Sequence, residues 1–403
     1  MEKTFVGRQP IYRDGVQVFA YELFSRTNEL NEAALAKADK ATGESLVDEF
    51  MDVGLQQIAG QHPAFLNVTR DFVLSEFSSS VLKSSTVLQI AGDTPPDADY
   101  VNALARLSGD GYSIALKDFV YQDDVRPLAE VADIVKLNVQ AFDRVMLARQ
   151  INALRPHKVK LLAEGVETHS DYQHCRELGF DYFEGYFFCK PQHASFEDRP
   201  LPFNRMSMLQ LLSKLQDPDV SFAELELAIS RDVAMSYRIL RYLNSPLNAL
   251  PRKVESLRHA ISLVGTNLIR QWASVIWLES IEDKPRELMI MAMIRAHMCQ
   301  QLGAAMGCRN TEQFFTVGVL SLLDALLDRP MAVVLNDLPL AESIEDALLR
   351  RNGVMGDALN CVQAYERCNW PKTTCGGLDE RKIRETYLTS VAWSRSVLHE
   401  LVH

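Results

Sequence analysis

Residues 114–120 read IALKDFV. Three apolar residues run straight into Lys117 and Asp118, after which the chain turns apolar again. A strand that crosses a core and stops on two opposite charges places them at a rim, the usual seat of chemistry in parallel-strand folds. Similar text recurs on both sides. QVFAYELF (17–24), PAFLNV (63–68), TVLQIA (86–91), SIALKDF (113–119), IVKLNV (134–139), VKLLAEGV (159–166) and FDYFEGYFF (180–188) are all short apolar runs of strand length. Between several of them lie amphipathic stretches such as ADYVNALARLSGDG and HSDYQHCRELGF, each closing near a glycine suited to a helix C-terminus. Strand–helix alternation over the first half predicts a parallel sheet, open or closed into a barrel. Asn67, Lys117, Asp118, Lys136, Asn138, Glu164 and Glu167 sit at the ends of these runs. Barrel closure would gather them on one face.

The text changes in PQHASFEDRPLPFNRM, a proline-rich polar stretch that reads as a linker. Beyond it, strand signals give way to apolar residues at three-to-four spacing, as in MSMLQLLSKLQ, VAMSYRILRYLN and RELMIMAMIRAHMCQQLGAAMG. The expected organisation is therefore a (β/α) barrel over 1–195, a linker over 196–205 and an all-helical domain over 206–403.

Composition narrows the function. The chain has 403 residues, 47% of them hydrophobic and 24% charged, ordinary for a globular protein with two cores. A net charge of −11 disfavours general affinity for nucleic-acid phosphates. No apolar run reaches the roughly 18 residues of a membrane span, and MEKTFVGRQP lacks a signal-peptide core. Seven cysteines in no regular framework predict reduced thiols and a cytoplasmic setting. Cys361, Cys368 and Cys375 are spaced by seven but lack CxxC pairs, so helix and loop thiols are the preferred reading over zinc.

Several ordered motifs resemble the EAL family, barrels that hydrolyse the bacterial messenger cyclic di-GMP with divalent metals. They are YELFSR with Glu22 and Arg26, FLNVT with Asn67, VKLN with Lys136 and Asn138, AEGVE with Glu164 and Glu167, and FEGYFF with Glu184. The resemblance implies metal ligands at Glu22, Asn67, position 89 and positions 117–118, with Lys136 near phosphate or water and Glu164 near the reacting water. Arg26, Lys136 and Glu184 are the implied nucleotide contacts. The chain departs from the pattern where metal would bind. Gln89 replaces a glutamate, Lys117 replaces the first acid of an Asp-Asp pair, Asn138 replaces an aspartate, and Glu184 stands where glutamine is usual. Two unit charges about 4 Å apart repel by about 4 kcal/mol at an effective dielectric near 20, so a lysine beside a dication is a serious obstacle. The expectation is that Lys117 stands in for metal, paired with Glu22 or Asp118. On that reading the hydrolase is inactive, with no cofactor, and magnesium or manganese would matter only if hydrolysis survives. Glu22, Asn67 and Asp118 are then either partners that keep Lys117 neutralised or retained ligand-binding groups.

The second half is similar to HDOD domains, helical relatives of metal phosphohydrolases without their metal site. AISRDVAMSYRILRYLNSP, VESLRHAISLVGTNLIRQW and FFTVGVLSLLDALLDRPM carry that likeness. Ser321 and Leu322 occupy the positions of two metal ligands, and His297 reads as a packing residue. The order of the two halves resembles bacterial EAL–HDOD signalling proteins. It implies control of motility, surface attachment or virulence through a regulatory protein partner, leaving cyclic di-GMP binding and homodimer formation open.

Overall fold

The computed structural model describes residues 5–25, 54–75, 85–191, 212–217, 219–230, 233–245, 253–279, 281, 284–336 and 338–402. The expected linker and Arg26 lie outside these residues. The chain divides into two compact units, Met1–Phe188 with Glu366–Trp370, and Cys189–Tyr365 with Pro371–His403.

The first unit is a closed eight-stranded barrel in sequential order. Its strands are β1 (Val6–Arg13), β2 (Gln17–Ser25), β3 (Ala64–Asn67), β4 (Thr86–Ala91), β5 (Ser113–Lys117), β6 (Ile134–Asn138), β7 (Lys160–Glu164) and β8 (Tyr182–Glu184). From β2 to β8 neighbours pair in parallel. β1 runs antiparallel to both β2 and β8 and closes the cylinder. The sequence reading did not include this strand, because VGRQPIYR mixes glycine, proline and arginine and shows no clean alternation. A three-residue turn at Asp14–Val16, with Gly15 at φ 77°, folds β1 back onto β2. The run 180–188 is also shorter as a strand than expected. β8 stops at Glu184, and Phe187–Cys189 forms a 3₁₀ turn.

Helices between the strands begin with caps that the sequence supplies. α1 (Ala98–Gly109) starts at Asp97, whose carboxylate accepts from the Tyr100 N–H at 3.0 Å. α2 (Arg144–Leu154) starts at Asp143 in the same way. α3 (His169–Glu177) has a reciprocal cap between Thr168 and Asp171.

Inside the barrel, Ile11, Ala20, Phe65, Val87, Ala115, Ile134 and Leu162 form one apolar layer, with Phe19 and Tyr182 packed against it. Side chains in a strand alternate faces, so the residue two places on points inward again, one step nearer the mouth. Two places beyond this layer come Glu22, Asn67, Gln89, Lys117, Lys136, Glu164 and, from Tyr182, Glu184. The pleat alone collects seven polar residues from seven strands.

The second unit is helical throughout its described residues. It includes α4 (Phe222–Ser230), α5 (Val233–Leu243), α6 (Leu257–Val264), α7 (Thr266–Glu279), α8 (Arg286–Ala305), α9 (Thr311–Leu320), α10 (Gly353–Glu366) and α11 (Glu380–Val402). Most of α8 is buried on every side, including Met289, Met291, Met293 and Met298. The methionine-rich stretch is core.

Candidate functional site

The barrel mouth is organised around Lys136, on β6. Its ammonium is fully buried and hydrogen-bonds to Glu22 Oε2. It also lies 2.9 Å from Glu184 Oε2 and 3.4 Å from Glu164 Oε1. The internal cation is thus Lys136, whereas the sequence reading placed Lys117 in that role. The difference comes from where each lysine stands in its strand. Lys117 is the last residue of β5 and half-buried at the rim, while β6 continues past Lys136 through Leu137 to Asn138. Lys117 still acts through its field, stabilising the charge on Glu22 and Glu164.

Amides meet the other oxygen of Glu22. Gln89 Nε2 donates to Glu22 Oε1 at 2.7 Å and to Asn67 Oδ1 at 2.6 Å. Asn67 Nδ2 adds a longer bond to Glu22 Oε1 at 3.4 Å. A carboxylate only accepts, so the Gln89 nitrogen, not its oxygen, faces Glu22. Gln89 Oε1 and Glu164 Oε2 are buried acceptors that no donor meets among the described residues.

Charge is shared unevenly. Burial pulls the Glu22 carboxyl upward, but the Lys136 charge, a hydrogen bond from Glu184 and the more distant Lys117 outweigh it and bring it down to about 2. Glu184 goes the other way. Burial and the adjacent Glu22 charge hold it well above the ordinary carboxylate range, which favours the protonated acid that donates to Glu22. Glu164 is also raised, chiefly by burial, with Lys136 opposing. Burial disfavours the Lys136 ammonium, yet Glu184, Glu22 and Glu164 raise it well above a free lysine, so it stays charged. One anion, one cation and one protonated acid form the buried heart of the mouth.

The remaining expected residues lie outside this heart. Asp118 is exposed and takes φ 53°, the left-handed conformation that turns the chain off the end of β5. Gly92 makes room for that turn. A Cβ there would meet the Phe119 Cα at 2.8 Å and the Lys117 carbonyl oxygen at 2.9 Å. Asn138 Oδ1 accepts from the Gln140 N–H at 3.0 Å and braces the following loop. Glu167 is exposed beside the cap of α3. In the altered loop after β5, the Tyr121 N–H donates to Gln150 Oε1 and its hydroxyl lies 3.2 Å from His157 Nε2, tying the loop to α2 and its end.

Carboxylate oxygens of Glu22, Glu164 and Glu184 lie within 4.8 Å of one another, close enough to surround one hard cation. The Lys136 ammonium sits among the three acids, and Gln89 directs donors at the Glu22 and Asn67 oxygens that would have to bind metal.

Residues 9–191 match the EAL domain, and residues 201–327 match the HDOD domain. The two matches, in that order, cover most of the chain. The whole length aligns with an uncharacterized protein, YuxH, of Bacillus subtilis, 29% identical and covering 98% of this chain and 99% of that one. It also aligns with the cyclic di-GMP phosphodiesterase CdgJ of Vibrio cholerae, 28% identical, covering 98% and 94% respectively. Among solved structures, an EAL domain protein from Listeria monocytogenes covers 51% of this chain and 91% of its own, at 18% identity and a TM-score of 0.37.

In the HDOD half, the would-be ligand positions are structural. Ser321 Oγ donates to the Gly318 carbonyl at 2.8 Å and accepts from Arg295 Nη1 at 3.2 Å, while Leu322 is core. His297 stacks on Trp393 with centroids 4.5 Å apart, and its Nδ1 lies 2.9 Å from Ser390 Oγ. Burial brings its imidazole down to about 4, so it is neutral near pH 7. No described helix is long and apolar enough to cross a membrane.

Proposed function

We propose that this chain is a signalling protein of the cyclic di-GMP system whose barrel does not hydrolyse the nucleotide. It acts through protein–protein contacts, in control of motility, surface attachment or virulence. One observation carries the reading: Lys136 and Gln89 together supply donors to both oxygens of Glu22 and to Asn67 Oδ1. Hydrolysis by two dications needs those oxygens as ligands. Here they are spent on the protein's own cation and amide. A contact role for the helical half is supported by Leu227, Tyr237 and Leu263, large apolar residues exposed on α4, α5 and α6.

The test is direct. Purified protein incubated with cyclic di-GMP and Mg²⁺ or Mn²⁺ is expected to give no linear product beyond the Glu164→Ala variant. Linear product that Glu164→Ala abolishes would overturn the reading.

A second reading, retained phosphodiesterase activity, is favoured by the three-carboxylate cluster and by the name of the Vibrio relative. It requires Gln89 to turn its donors away from Glu22 and Asn67. A receptor without turnover lies between the two, with Lys136 and Arg26 as its phosphate contacts. Calorimetry with cyclic di-GMP separates it, since saturable heat lost in Arg26→Ala would establish binding.

A further inference from the structure

The three cysteines spaced by seven part company in the structure. Cys361 and Cys375 belong to the helical unit, but Cys368 sits in the stretch Glu366–Trp370, which belongs to the barrel unit. The chain therefore leaves the helical unit after Tyr365, near the end of α10, and rejoins it at Pro371.

That stretch grips the barrel at two places. Trp370 stacks on Phe5, with ring centroids 5.3 Å apart and planes 7° from parallel, and both rings are buried. The Tyr186 hydroxyl donates to the Glu366 carbonyl, and the Arg367 guanidinium lies over the Tyr186 ring, 5.6 Å from its centroid. Cys368 takes φ 54°, a strained conformation, and the Trp370 N–H closes a tight turn onto its carbonyl at 3.0 Å. Gly7 on β1 leaves the space that this turn fills. A Cβ there would stand 2.8 Å from Cys368 Sγ and 3.1 Å from the Trp370 ring.

Both grips are at the mouth. Gly7 pairs with Phe24, two residues beyond Glu22 on β2, and Tyr186 is two residues beyond Glu184, the last of β8. β1 lies between these two strands, with Gln9 opposite Glu22 and Ile11 opposite Glu184. Whatever moves the start of β1 and the end of β8 moves the two carboxyls closest to Lys136.

We propose that Glu366–Trp370 is a strap by which the helical half controls the mouth of the barrel. Docked, it holds β1 against β2 and β8 and keeps the Lys136 cluster closed. Displaced by a shift of α10, it frees the ends of β1 and β8, and the cluster opens to solvent. The coupling does not depend on whether the barrel hydrolyses a nucleotide. It runs both ways, so disruption of the cluster loosens the strap.

The experiment uses the full chain. Gly7→Ala adds one methyl where the strap sits and alters no member of the mouth cluster. Backbone hydrogen exchange, read by mass spectrometry, is expected to rise severalfold in peptides covering 366–370 and 182–188 and to stay unchanged in β4 and β5. Lys136, fully buried in the parent, should then be acylated faster by acetic anhydride. Adding Cys368→Ala removes the sulfur that the methyl meets and should return both readouts towards the parent. Tyr186→Phe deletes only the hydroxyl that bonds Glu366, and should shift both readouts the same way without crowding β1. In the reverse direction, Lys136→Met should raise exchange across 366–370. A strap that exchanges faster in Gly7→Ala or Tyr186→Phe while Lys136 stays protected would overturn the proposal and leave Trp370 a packing residue. So would exchange at 366–370 that neither variant changes.

Discussion

The barrel mouth and the centre of the helical half both bury polar groups, and they satisfy them differently. Around Ser321, Leu322 and His297 the three side chains themselves carry no charge. A serine bonds to a backbone carbonyl, a leucine joins the core, and a histidine stacks uncharged on Trp393. The barrel mouth keeps ionised groups under full burial, which is stable only because each charge finds a partner. A buried charged cluster is a network whose members depend on one another, so single substitutions there should cost far more than in the helical half.

The largest effect is expected at Lys136. Lys136→Met keeps most of the side-chain volume and removes the charge, leaving Glu22, Glu164 and Glu184 facing one another. Breaking a buried pair by deleting one partner costs about 3–5 kcal/mol, readable as a shift in urea unfolding. The freed cluster should also respond to Mn²⁺, which is expected to raise the melting temperature of this variant more than that of the parent. An equal response in both would mean that Lys136 does not compete with a cation for these acids.

The helical half should show its own weakness on acidification. His297 titrates at about 4 in the folded chain, against about 6.5 when exposed. A depressed histidine is neutral when folded, so the unfolded state takes up the proton first as pH falls. Nothing is lost above about pH 6.5, and the loss of stability grows as pH falls, reaching about 3 kcal/mol near pH 4. Urea unfolding of parent and His297→Gln across this range should give converging curves, with the parent losing the steeper share. Parallel curves would show that His297 is not the group responsible.

A finer comparison lies within the mouth. Glu22 carries charge and Glu184 carries a proton, so their amide variants should differ. Glu22→Gln removes the anion facing Lys136 and is expected to cost about 2 kcal/mol or more. Glu184→Gln keeps a donor towards Glu22 and an acceptor towards Lys136, and should cost less than about 1 kcal/mol. Equal costs would mean that the proton is not held on Glu184.

Much of this was legible before the structure. Apolar runs at strand length, with amphipathic stretches such as ADYVNALARLSGDG and HSDYQHCRELGF between them, announced a parallel sheet, open or closed into a barrel. The strand-end polar residues announced a converged site. What sequence could not supply was depth. Lys117 and Lys136 each stand two places beyond an apolar residue of the same layer, Ala115 and Ile134. Only the continuation of β6 beyond its lysine shows which one is buried. The role of Glu184 was hidden for a similar reason. Its value as an acid depends on burial beside the Glu22 carboxylate of another strand, and no local pattern records that proximity.

The smallest effect concerns the edge of the mouth, where the two lysines part company. Asp118 holds φ 53° at the end of β5, a conformation that costs an ordinary residue about 1 kcal/mol and glycine almost nothing. Its carboxylate is exposed and outside the buried network, so Asp118→Gly should stabilise the barrel by several tenths of a kcal/mol up to about 1. Such a gain would mark Asp118 as a turn residue carrying a strained backbone rather than a partner that Lys117 needs. A loss of stability would mean that the Lys117–Asp118 pair binds the rim together, and the boundary between buried network and solvated edge would have to be drawn one residue further out.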